Sequence, residues 1–159
     1  MSFSLLECGS VMMATEQNAF AERLTGRFDG MIRQEDARRL AETVALLDGW
    51  YLLEPQGSQP DQPVDGQTAR HHLEGLLQEI LREERGVWST MVYVQSQEDP
   101  WIIKVFHPRR AGCGCGGQGG ILPWWVLSRL KPEAVAEWNT AACAVPAAPK
   151  KSSWLKLFR

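Results

Sequence analysis

His107, Cys113 and Cys115 are the residues whose types and spacing best suit chemistry in this chain. They lie in HPRRAGCGCGGQGG, residues 107–120, a segment of bare glycine backbone around two thiols and behind one imidazole. Thiolate sulfur and imidazole nitrogen are natural ligands of zinc and of iron–sulfur iron. The glycines remove side-chain obstruction and let both sulfurs turn toward one ion. The Cys-X-Cys spacing is not the Cys-X-X-Cys of a zinc knuckle. A closed four-ligand site therefore needs a further donor from Cys8, Cys143, His71, His72 or a second subunit.

Other chemistries fit the same segment less well. A strand, a glycine-rich turn and a helix can cradle an anion on backbone amides, with Arg109 and Arg110 adding charge. The glycine spacing matches neither the P-loop nor the dinucleotide fingerprint. Two thiols beside arginines could be reactive, and His107 could serve a cysteine nucleophile as base. A plain surface loop with incidental cysteines is the simplest alternative. The metal reading ranks first among the chemical ones. His71, His72 and Glu74 read as a solvated helix face, and no Ser-His-Asp set or G-x-S-x-G elbow occurs.

The chain that must position this segment has 159 residues, enough for one domain with its own core. Its formal net charge of -2 argues against general nucleic-acid binding. No run of apolar residues is long enough for a transmembrane segment. The opening MSFSLLECGS lacks the basic start of a secretory signal, so a cytoplasmic location is expected, with reduced thiols. Residues 1–13 read as a disordered tail, 14–140 as one α+β domain, and 141–159 as a flexible linker ending in a short amphipathic segment.

Apolar periodicity predicts helices near 15–31, 34–48 and 67–85. Ala37, Leu40, Ala41, Val44 and Leu47 form the stripe of the second, and Leu73, Leu76, Leu77, Ile80 and Leu81 that of the third. VWSTMVYVQS and WIIKVF, joined by QEDP, predict a two-stranded antiparallel hairpin near 87–106. WYLLEP is expected to be extended. ILPWWVLSRL predicts a short helix begun at Pro123, and KPEAVAEW another begun at Pro132. The expected fold is three amphipathic helices on a two-stranded hairpin, then the glycine-rich loop and short C-terminal helices.

Tryptophan is unusually frequent, with seven in the chain. Trp50, Trp88 and Trp101 are expected to pack. Trp124 and Trp125 are neighbours that one helix face cannot bury together, which suits contact with a partner. In the tail, Trp154, Leu155 and Phe158 would share one side of a helix, able to dock a protein groove, to touch a membrane surface weakly, or equally to fold back and cover the core.

These features sum to an expected small cytoplasmic accessory protein. It would bind a partner metalloprotein, such as a metalloenzyme, through Arg109, Arg110 and the tryptophans, and would carry zinc or an iron–sulfur unit on His107, Cys113 and Cys115. A metal-free structural adaptor and a thiol-dependent enzyme are the alternatives.

Overall fold

The computed structural model describes residues 19–111, 121–135 and 138. Helical residues 19–24 lead into β1 (Asp29–Gly30), followed by α1 (Gln34–Ala45), β2 (Tyr51–Leu53), α2 (Gly66–Glu83), β3 (Val92–Val94), β4 (Ile102–Val105), α3 (Pro108–Ala111) and β5 (Trp125–Ser128). The strands form one antiparallel sheet in the order β1-β3-β4-β5-β2.

The expected two-stranded hairpin is thus only the centre of a five-stranded sheet. The physical reason is edge satisfaction. A lone β3–β4 ribbon would leave both outer rows of backbone groups unpaired and both apolar faces open. β1 closes one edge, with the Met31 amide donating to the Val92 carbonyl just beyond it at 2.8 Å. β5 closes the other edge, and β2 pairs with β5 in turn.

WVLS is the strand, not the helix that Pro123 suggested. Val126 belongs to one core cluster and Leu127 to the other, so these neighbours must point to opposite sides, as they do in a strand. The first helix, expected to reach residue 31, stops at 24, because Asp29–Gly30 is claimed by pairing with Tyr93 and Val94. Of KPEAVAEW, where another short helix was expected, residues 131–135 carry no helix, whereas Trp138 is helical. The expected N-terminal tail and the C-terminal linker with its amphipathic segment lie outside the described residues.

α1 and α2 form close to their expected spans for recognisable reasons. Glu35 and Asp36 occupy the first turn of α1, where the helix dipole favours negative charge. Asp65 caps α2 by accepting from the Thr68 amide at 2.7 Å. That bond draws the Asp65 carboxyl below its ordinary range. Gly66 brings α2 hard against the end of α1. A Cβ there would stand 2.5 Å from the carbonyl oxygens of Ala45 and Leu47.

Strand alternation sorts the core into two layers. Val92, Val94, Ile103, Val105 and Leu127 face α1 and α2 and meet Leu40, Val44, Leu73 and Ile80. Trp50 is fully buried there, its indole N–H donating to the Leu47 carbonyl at 2.8 Å. Truncating a fully buried leucine in such a layer costs about 2–5 kcal/mol. On the opposite face Leu53, Ile102 and Val126 pack with Phe20, Leu24, Leu122 and Trp138. Among the described residues that second layer covers only part of its face.

Candidate metal centre

His107 follows β4 and keeps the strand's parity. Ile103 and Val105 face the helices, Phe106 faces away, and His107 again turns toward α2. Glu79 and Glu83 stand one helical turn apart near the C-terminal end of α2, on the side that meets this ring. Donor atoms of Glu79, Glu83 and His107 all lie within 4.8 Å of one another. Around a tetrahedral zinc ion with bonds of about 2.0–2.2 Å, neighbouring donors stand about 3.3–3.6 Å apart. Closing the three onto one ion needs a side-chain movement of about an ångström.

His107 is 8% exposed, and each of its ring nitrogens has a neighbour. Nδ1 accepts from the Arg109 amide at 3.2 Å, so the imidazole caps the first turn of α3. Nε2 looks toward Glu79 Oε1 at 3.7 Å. The Trp124 ring meets the imidazole edge-on, with centroids 4.7 Å apart. Burial pushes the His107 pKa down, against the upward pull of Glu83 and Glu79, and the nearby Arg109 pushes it down further. The ring is accordingly neutral at pH 7, the form in which imidazole binds a metal.

The carboxylates are paired. Arg109 grips Glu83 in a two-point fork of 2.7 and 2.8 Å, which holds the Glu83 carboxyl below its usual range. Arg82 pairs with Glu79 one turn along the helix. The cluster thus balances two carboxylates, two guanidiniums and a neutral imidazole. A cation would enter by taking over the place of Arg109 on Glu83.

The remaining predicted site residues fall as follows. Arg109 is committed to Glu83. Arg110 lies in α3, and its side chain is outside the described set. Trp124 rests on His107, and Trp125 meets His72 edge-on at 4.4 Å. Both tryptophans are half-buried against the helix-side core. Cys113, Cys115, Trp154, Leu155 and Phe158 lie outside the described residues. Of the expected packing tryptophans, Trp88 donates to the Met31 carbonyl at 2.9 Å, and the Trp101 ring carries the Arg23 and Arg129 guanidiniums at 4.8 and 4.2 Å from its centroid.

Sequence reasoning missed Glu79 and Glu83. Their i,i+4 spacing on a helix beside a leucine stripe was a visible signal. Their approach to His107 is not local, because it depends on α2 lying across the end of β4. Glu74, considered with His71, instead pairs with Arg70 at 2.8 Å, and His71 is exposed.

No protein-family model, curated protein or solved structure matches the chain. Among the described residues no helix is long and apolar enough to cross a membrane.

Proposed function

We propose that this chain is a small metal-binding accessory protein whose ion is held at the corner between α2 and β4. His107, Glu79 and Glu83 are its ligands, and Cys113 and Cys115 are soft donors supplied from the segment that follows. The observation that carries this reading is the convergence of a buried neutral imidazole and two carboxylates within 4.8 Å. Imidazole and carboxylate together suit a divalent ion of the zinc class. An iron–sulfur cluster relies on thiolates, which the Glu79–Glu83–His107 set does not provide. Delivery of the ion to a partner metalloprotein in a reducing cytoplasm remains the role that the two thiols suggest.

Loading this corner has a structural consequence. The neutral His107 ring holds one proton, and with Nδ1 accepting from the Arg109 amide that proton sits on Nε2. A cation on Nε2 requires the other tautomer, whose Nδ1–H points at the same amide. Ion uptake and the α3 cap therefore exclude each other. The ion also displaces Arg109 from Glu83. Both changes act on the turn from which the glycine–cysteine segment leads.

Zinc titration against a chromophoric chelator tests the proposal. One tight equivalent is expected, weakened by Glu79→Gln with Glu83→Gln, by His107→Ala, and by Cys113→Ser with Cys115→Ser. Wild-type zinc affinity in a folded protein lacking Glu79, Glu83 and His107 together would overturn it. Circular dichroism confirms that each variant retains its helices.

A further inference from the structure

Among the described residues, the face of the sheet turned away from α1 and α2 is only partly covered. Leu53, Ile102 and Val126 are packed over, but beside them lies a cavity of about 360 Å³. Its lining is Phe28, Thr90, Met91, Tyr93, Lys104, Phe106 and Ile121. The volume lies within the range of small-molecule sites, about 300–1,000 Å³.

Tyr93 and Lys104 stand directly opposite each other across β3 and β4, so both side chains share this face. Phe106 meets the Tyr93 ring edge-on at 5.4 Å. The Lys104 ammonium donates to the Leu24 carbonyl at 2.7 Å and sits 3.9 Å from the centroid of the Phe28 ring. These contacts hold it at the cavity wall without neutralising it. Among the described residues no carboxylate lies within ion-pairing distance of Lys104, and burial alone pushes its pKa down. An ammonium has three N–H donors, and a carbonyl takes only one.

A cation in an apolar recess, with no carboxylate beside it among the described residues, is costly unless something of opposite charge completes it. Where the protein pairs a surface cation, as in Arg129 with Asp99 and Arg70 with Glu74, it sets a carboxylate beside it. Here it lines the surroundings with aromatic and aliphatic carbon.

We propose that this recess is a second binding site, independent of the metal corner, for a small carboxylate with an apolar body, such as a medium-chain or aromatic acid. The carboxylate takes the free N–H of Lys104 as an ion pair. The body lies along Tyr93, Phe106 and Met91, with Phe28 and Ile121 as walls. Ile121 is 45% exposed and marks the rim.

Isothermal titration with decanoate on the full chain tests this, with decylamine and decanol as matched probes. Decanoate is expected to bind at one site, decanol more weakly by about tenfold, and decylamine not at all. Lys104→Met should weaken decanoate by about tenfold or more while leaving decanol unchanged. Should Lys104→Met fail to fold, Ile121→Asp places a carboxylate at the exposed rim and should weaken decanoate selectively. Absence of decanoate binding, as when the chain's own residues fill the recess, overturns the proposal. Equal binding of decanoate and decylamine, or indifference to both variants, does so as well. Zinc binding by the same variants is expected to be unchanged, so failure here leaves the metal reading intact.

Discussion

The chain contains two histidine–tryptophan pairs that look alike in outline and differ in their company. His72 meets Trp125 edge-on at 4.4 Å, and His107 meets Trp124 edge-on at 4.7 Å. Burial lowers both imidazoles from their ordinary value. Around His72 the nearest charge effect is that of His71, which lowers it further, and its Nε2 is buried with no hydrogen-bond partner among the described residues. Around His107 stand Glu79, Glu83, Arg109 and the α3 cap. Burial alone makes a histidine a packing group. Burial beside anions makes it a polar centre that can exchange a proton or accept a cation.

The comparison breaks most visibly under zinc. His107→Ala should weaken zinc binding by about 100-fold or more, since losing even an outer-shell partner costs about 10–100-fold. His72→Ala should leave it unchanged. Chelator competition measures both. Equal losses in the two variants would show that the carboxylates do not distinguish the pairs.

Stability should separate them with opposite signs. Replacing a buried, unpartnered polar group by an apolar one of similar size is neutral or favourable. His72→Leu is therefore expected to stabilise by up to about 1 kcal/mol. His107→Leu removes the cap on α3, and should destabilise by about 1 kcal/mol. Urea melts at pH 7.5 read both, and destabilisation by His72→Leu would mean that its ring edge on Trp125 outweighs the orphaned nitrogen.

The pH dependence of stability follows from the same pair. Each histidine has a folded pKa below the ordinary 6.5, so the unfolded chain takes up the proton first. Their contribution is complete above about pH 6.5 and is lost as pH falls through that value toward the lower folded ones. For His72 nothing opposes the shift, whereas Glu83 and Glu79 oppose it for His107. His72→Leu should accordingly flatten the stability curve below about pH 6.5 more than His107→Leu does. Denaturant midpoints across that interval provide the test.

Where the sequence was informative, the reason was local. The stripes Leu40–Val44 and Leu73–Ile80 repeat at helical spacing, and the helices form near where they predict. Val92–Val94 and Ile102–Val105 announce themselves by composition. β5 was misleading because Pro123 is a good first helical residue and the sheet overrode that preference. β1 was hidden because Asp29–Gly30 has no strand character of its own and pairs only because Val92–Val94 offers a free edge. The candidate site divides in the same way. His107 was visible from its residue type and its place before the glycines. Glu79 and Glu83 become its neighbours only through the packing of α2 beside β4, and Lys104 stands out only because no described carboxylate lies beside it.

The smallest effect in this set belongs to Arg109, and it probes what sets the His107 corner apart. Its guanidinium side chain is 62% exposed, so solvent and salt screen the pair with Glu83 and little folding stability rests on it. Its role is competitive, because it sits on the carboxylate that a cation would use. Arg109→Met removes the competitor and leaves the backbone amide that His107 caps. Zinc affinity should therefore rise by about threefold, with the gain shrinking at high salt as the native pair is screened. A fall in affinity would instead make the guanidinium part of the binding arrangement, holding Glu83 in position for the ion. The two outcomes separate a corner whose arginine guards an ion site from one whose arginine completes a purely structural network.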